Sequence, residues 1–326
     1  MSIFNAPAPS GSDDAAALQA ALIACFGNRA NPTDRTTFQK FRFQQGVYKV
    51  SNPLLLESVS GAAIEGAGRF ATQILDTSGK GCFATNGFEY SAIRDMSFFG
   101  SAGTATLFDL NWDNTAIARQ CALQSNTFEN LFFAGEGSNS SIGLNIGAGG
   151  FMGSENLILN CFFNGCGVAG LKTSNYNALQ QTVLGGDFQS CGKGIWVYAG
   201  SVPIIHGVGF QNSTAVPTSP WQTDNYDIHI QNAANDGYSI QGCRTQSACF
   251  FRNQNGPESF AHLSGCTQNC ANAGYFAIVQ QNTVIDSCYS QNGQLGAASA
   301  TEAYYLRNWN AGRADWQGPN FQLKSD

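Results

Sequence analysis

The sequence predicts an all-β fold: a single-stranded right-handed parallel β-helix with three strands per coil, about nine or more coils, closed at its start by a helix. Three observations predict it. A short phrase that ends an apolar strand on a corner residue recurs nine times, from IEGAGRFA at Ile64 through ILNCFFNG at Ile158 and IHGVGFQN at Ile205 to IDSCYSQN at Ile285. Copies are 22 to 35 residues apart, a period that means stacked supersecondary units with loops of variable length. Between copies falls a third strand-like string: FDLNW at Phe108, GLNIG at Gly143, GLKTS at Gly170, GIWVY at Gly194 and DIHIQ at Asp227.

Residues 1–326 read as one β-helix domain, with a capping helix over 10–26, coils over 41–295 and closing strands over 296–326. In SDDAAALQAALIAC, Ser12 or Asp13 can cap the helix, acids stand in its first turn, and Leu18, Ala21, Leu22 and Cys25 share one face. Such a helix covers the strand edges that the end of a stack leaves open. The third position of each phrase is Gly66, Asp95, Asn130, Asn160, Gly185, Gly207, Gly242, Gly265 or Ser287. Nearly all of these tolerate a left-handed backbone, so a tight corner is expected there. After the corner, positions four and six point inward and five and seven outward, the alternation of a half-buried strand. Position four stacks Cys243, Cys266 and Cys288 on successive coils, where a thiol acts as a small hydrophobe. Their spacing of ~4.8 Å also lies within disulfide range. EAYYLRNW and NFQLK read as closing strands.

Composition narrows the function. Sixteen basic against 22 acidic residues give a net charge of -6 with no Lys/Arg cluster, which argues against nucleic acid and anionic membrane and for neutral or polar ligands. There is no apolar run of membrane-spanning length and no leader-like start, so no membrane insertion is expected. The 11 cysteines lack CxxC or zinc spacing, which favours buried free thiols over disulfides or metal. Neither a metal nor a cofactor is expected.

The chain resembles the pectate-lyase-like right-handed β-helix superfamily, and within it the phage tailspikes and capsule depolymerases. The resemblance rests on DDAAALQAAL from Asp13, GVYKVSNPLLL from Gly46 and AAIEGAGRFATQI from Ala62, and the ladder of corners extends it to about residue 295. It implies a tailspike-like depolymerase that binds and cleaves a bacterial surface polysaccharide, assembles as a homotrimer, and sits in the virion tail after synthesis in the host cytoplasm. A secreted or cell-surface bacterial protein is the alternative location. The Asp-rich calcium site and catalytic arginine of pectate lyases have no match here, nor do the tandem aspartates of polygalacturonases. Hydrolase, lyase and non-catalytic glycan binder therefore stay open.

Outward residues of one β-helix sheet form rows at ~4.8 Å spacing. The third-strand row reads Asp109, Asn145, Lys172, Trp196 and His229, beside a parallel row of Asn111, Ser174, Tyr198 and Gln231. Aromatics beside amides and charges suit a sugar, with its apolar faces and hydroxyl edges. The preceding row, Gly143, Gly170, Gly194 and Asp227, sets a carboxylate beside a strip without side chains, either room for a sugar or the completion of a turn. The insertion from Ser213 to Tyr226 adds Trp221 and Asp224. Hydrolysis of a glycosidic bond needs two carboxyls ~5 to 9.5 Å apart. Asp109 and Asp227 are about 19 Å apart over four coils, whereas Asp224 and Asp227 could serve as acid and base or nucleophile. A lyase would draw its base and its cation from Lys172 and His229, ~10 Å apart. Trp196, Tyr198 and Trp221 are candidate sugar platforms, with Asp109, Asp187 and Gln231 as further binding residues. On the strand after the corner, Asp187 is expected to point outward between Phe162 and Arg244. Beside it Asn164, Gln189, Gln211, Gln246, Asn269 and Gln291 form an amide row, read as a stack that bonds to itself. His206 and His262 stand outside these rows.

Overall fold

The computed structural model describes residues 3–27, 39–112, 122–136, 141–147, 153–212, 226–232, 237–254, 260–270, 275–279, 283–291, 294–297, 304–307 and 310–311. Each phrase folds as two short strands around a corner, and the intervening string as a longer third strand. One coil thus runs Leu157–Leu159, Phe162–Asn164, Ala169–Ser174. Among the described residues these strands gather into a first sheet of 12, a second of 11 and a third of 10, with like strands of successive coils adjacent. The chain is a parallel β-helix.

Backbone angles explain the corner. Asp95, Asn130, Asn160, Gly185, Gly207, Gly242, Gly265 and Ser287 have φ between 50° and 66°, the left-handed region where a Cβ crowds the following carbonyl. Gly66 is the exception: there glycine is needed because a Cβ would come within 2.2 Å of the Asp95 carbonyl oxygen.

Inside, position six builds a ladder of phenyl rings. Phe98, Phe133, Phe163, Phe188 and Phe210 stack with successive ring centres 5.0, 4.7, 4.6 and 5.4 Å apart. Burying each ring is worth about 1.5–3 kcal/mol. Thr245, Gln268 and Ser290 continue the column as buried polar residues. Gln268 Nε2 donates to the carbonyls of Ser247 and Ala248, and Ser290 Oγ donates to Gln268 Oε1 at 2.7 Å. A second interior ladder runs through Asn126, Asn156 and Gln181, whose amides bond rung to rung at 2.9 Å. These buried polar groups have partners, as the interior demands. Cys243, Cys266 and Cys288 are buried free thiols, and the Cys266 amide donates to Cys288 Sγ at 3.4 Å.

The cap is a helix over Ala15–Phe26, shorter than the 10–26 expected, with Asp14 as its N-cap residue. The preceding acids hold the second-sheet edge instead: Lys49 N–H donates to Asp14 and Ser51 N–H to Asp13, both at 3.1 Å. Leu18, Leu22 and Cys25 face the core. The Gln19 amide covers Leu55 on the first, edge strand of the third sheet, donating to its carbonyl at 3.0 Å and accepting from its N–H at 2.8 Å. At the other end Tyr304–Arg307, within EAYYLRNW, pairs with Thr283–Asp286. NFQLK lies outside the described residues.

Candidate functional site

The third-sheet row forms with the expected register, Asp109 to Asn145 to Lys172 to Trp196 to His229, and continues to Arg252. Its side chains are turned towards one another. Asn145 Nδ2 donates to Asp109 Oδ1 at 2.9 Å. The Lys172 and Lys193 ammonium groups stand 4.6 and 4.7 Å from the Trp196 ring centre, and Lys172 lies 4.9 Å from that of Tyr198. Such contacts are worth about 0.5–1 kcal/mol each at exposed sites. Trp196 Nε1 donates to Gln231 Oε1 at 3.1 Å, and His229 Nε2 lies 2.6 Å from Gln254 Oε1. Burial raises the Asp109 carboxyl above its usual range and lowers the Lys172 ammonium. Asn145 is buried, and at the far end of the row so are His229, 1% exposed, and Arg252, 3%. The parallel row is broken, because a bulge pairs Ser174 with Ala199 and takes Tyr198 out of line.

The glycine strip opens inward, so of its two readings room for a sugar falls away. A Cβ on Gly143, Gly170 or Gly194 would come within 2.7, 2.5 or 2.7 Å of the ring of Phe163, Phe188 or Phe210. Glycine is required so that the phenyl ladder fits. Where that ladder changes to Thr245, the glycine changes to Asp227. The vacated space takes the Asp227 carboxyl, which is 0% exposed. It accepts from Thr245 Oγ1 at 2.5 Å, Ser247 Oγ at 2.7 Å and Asn212 Nδ2 at 2.8 Å. Burial pushes Asp227 up to about 7 against these hydrogen bonds, and the charge of Asp187 adds to the rise. Asp224 and Trp221 lie outside the described residues.

The second sheet carries an open groove of 530 Å³, lined by Asp187, Arg244, Gln211, Gln246, Asn269 and Tyr289 among others. Its outward column runs Phe132, Phe162, Asp187, Gly209, Arg244, Thr267, Tyr289. Gly209 therefore separates Asp187 from Arg244, which the sequence reading set on one face without the gap. The Asp187 carboxyl leans over that gap: a Cβ on Gly209 would lie 3.1–3.3 Å from its atoms. Asp187 Oδ1, itself shut off from solvent, accepts no side-chain hydrogen bond, and Oδ2 accepts one from Gln189 at 3.4 Å. Burial raises this carboxyl above its usual range.

The neighbouring amides correct an expectation. Asn164, Gln189 and Gln211 stack in register, and Gln211, Gln246 and Asn269 are exposed. No side-chain hydrogen bond joins one amide of this row to another among the described residues. Thr267 and Tyr289 also line the groove, and sequence reasoning did not single them out. The available signal was Gly209 itself, a missing side chain between an acid and a base in an outward column.

Among the described residues no group of three His, Cys, Asp or Glu side chains gathers as a metal site would, and no helix is long and apolar enough to cross a membrane. No protein-family model and no curated protein matches the chain. Solved structures do match. The catalytic domain of a GH87 α-1,3-glucanase in complex with nigerose aligns with a TM-score of 0.51 at 13% identity, over 99% of this chain and 68% of that one. ORF18 of Geobacillus virus E2 aligns with a TM-score of 0.48 at 14% identity over 94% of this chain, which spans 61% of the viral protein. The A-module of a mannuronan C-5 epimerase from Azotobacter vinelandii aligns with a TM-score of 0.42 at 14% identity, over 99% of this chain and 98% of the module. The fold is a parallel β-helix, which the glucanase domain shares. Likeness at these identities is a likeness of fold.

Proposed function

We propose that the second-sheet groove binds a polysaccharide, with Asp187 as its central acid. One observation carries this reading: an open groove that sets one acid and one arginine beside exposed amides, Gln211, Gln246 and Asn269, that bond to none of their own row. A sugar hydroxyl both donates and accepts, and an amide offers both functions at once. Unpaired amides can meet it without first breaking a bond that holds the fold. The glucanase of the same fold has been solved with nigerose and with tetrasaccharides, which supports a glycan as the ligand.

Cleavage is the second reading, that of a tailspike-like depolymerase acting by hydrolysis. The raised Asp187 carboxyl favours it, since a general acid must hold its proton near working pH. Hydrolysis also requires a second carboxyl at ~5 to 9.5 Å, and Asp187 is the only acid lining the groove among the described residues. Binding is therefore the primary proposal. The virion-tail location and homotrimeric assembly implied by the resemblance belong to the same reading. A lyase built on Lys172 and His229 has less support, because His229 is enclosed.

The test mixes wild type and Asp187→Asn with a panel of capsular polysaccharides and exopolysaccharides, and measures binding, new reducing ends and ultraviolet absorbance. Reducing ends that vanish in the variant mean hydrolysis, and binding without products means recognition alone. Unsaturated products mean a lyase. Absence of binding across the panel would overturn the proposal.

A further inference from the structure

We infer that the groove holds its glycan lengthwise, parallel to the helix axis, between two aromatic stops, Phe162 and Tyr289, and so discriminates ligands by length. This rests on the glycan-binding reading of the same groove. The strands beneath it are short: Asp187–Gln189, Gly209–Gln211, Arg244–Thr245 and Thr267–Gln268. At ~3.3 Å per residue the sheet is only about 10 Å across. Along the axis the column from Phe162 through Asp187, Gly209, Arg244 and Thr267 to Tyr289 crosses five rung intervals, or about 24 Å. A glycan longer than the width finds further polar partners only along the axis.

The two ends differ from the middle. Between them the column offers a carboxylate, a gap, a guanidinium and a hydroxyl, with exposed amides alongside. At one end, one rung beyond the residues that line the groove, the half-buried Phe162 ring is braced by Phe132, 5.5 Å away, which in turn contacts Phe99 at 5.7 Å and Phe70 at 5.3 Å. A braced ring loses little freedom when a ligand stacks on it. At the other end Tyr289 is 39% exposed. Aromatic faces take the apolar faces of sugar rings, and the polar stretch takes hydroxyl edges. A ligand long enough to reach both rings gains two stacking contacts that a short one gains singly or not at all.

The test uses partially hydrolysed bacterial capsular polysaccharides and exopolysaccharides, α-1,3-glucan included, separated into fractions by length. Wild-type affinity should rise with length and level off once the ligand reaches about 24 Å. Phe162→Ala and Tyr289→Ala should each weaken long ligands by about three- to tenfold and disaccharides by less, since these can shift to the other ring or to the polar stretch. Tyr289 is a surface ring, so its variant keeps the test meaningful if Phe162→Ala folds poorly. Affinity independent of length, or equal losses for short and long ligands, would overturn the lengthwise arrangement while leaving the glycan groove in place. A wild type that binds no fraction would instead overturn the glycan reading, and this inference with it.

Discussion

Two faces of the same prism display similar residues in opposite states. The third-sheet row holds an acid, an amide, a lysine, a tryptophan and a histidine, and it pairs them internally: Asp109 with Asn145, Lys172 with Trp196, Trp196 with Gln231, His229 with Gln254. The second-sheet groove holds an acid, an arginine and a row of amides; Gln189 reaches Asp187 with a long bond, and the exposed Gln211, Gln246 and Asn269 side chains bond to none of their row. Residue type therefore identifies a polar face but does not say whether its polarity is spent on the fold. Groups already paired stabilise the coil, and exposed groups left unpaired are available to a ligand.

The largest expected effect concerns Asp227, which sits on a third-sheet strand but turns its carboxyl inside. Its pKa is raised from 3.8 to about 7 by burial. Between those values an unfolded chain releases the proton that the folded chain keeps, so stability falls as pH rises from about 4 to about 7 and is level above. The swing is on the order of 4 kcal/mol. Thermal unfolding across that range should show the slope in wild type and a much shallower one in Asp227→Asn, where the raised carboxyls of Asp109 and Asp187 remain. Next comes Asn156→Ala in the interior amide ladder, which strands the Asn126 and Gln181 amides and should cost about 3 kcal/mol by denaturant unfolding. Trp196→Ala removes an internally paired group and should cost about 2 kcal/mol of stability while leaving glycan affinity unchanged. Asp187→Asn should do the reverse, weakening glycan binding by about tenfold with an unchanged unfolding midpoint. Smallest is Gln246→Ala, an outer amide whose loss should move stability by less than about 0.5 kcal/mol. A Gln246→Ala cost comparable to that of Asn156→Ala would erase the distinction between the two amide ladders.

Much of the fold was legible because its constraints are local. A left-handed corner admits few residue types, so Asn130, Asn160, Gly185 and Gly207 declare it. Alternation then assigns Phe163 and Phe188 inward and Asp187 outward. The third-sheet register, Lys172 beside Trp196 beside His229, followed from the same alternation. What the sequence did not disclose depends on contacts between coils. Gly143, Gly170 and Gly194 read as a turn or as room for a sugar, yet their missing side chains make room for rings two strands further along the chain. Asp227 followed them in the row, and only the change from Phe210 to Thr245 on the facing column explains why its carboxyl fits inside. The amide row was legible as a row, but whether its members bond to one another is decided by side-chain conformation.

The most direct test is a structure of the protein with a sized glycan fraction bound. The account predicts a chain lying along the second sheet, its hydroxyls within hydrogen-bonding distance of Asp187, Gln211 and Gln246 and sugar rings over Phe162 and Tyr289. A glycan seated instead on Trp196 and Tyr198 of the third sheet would contradict it.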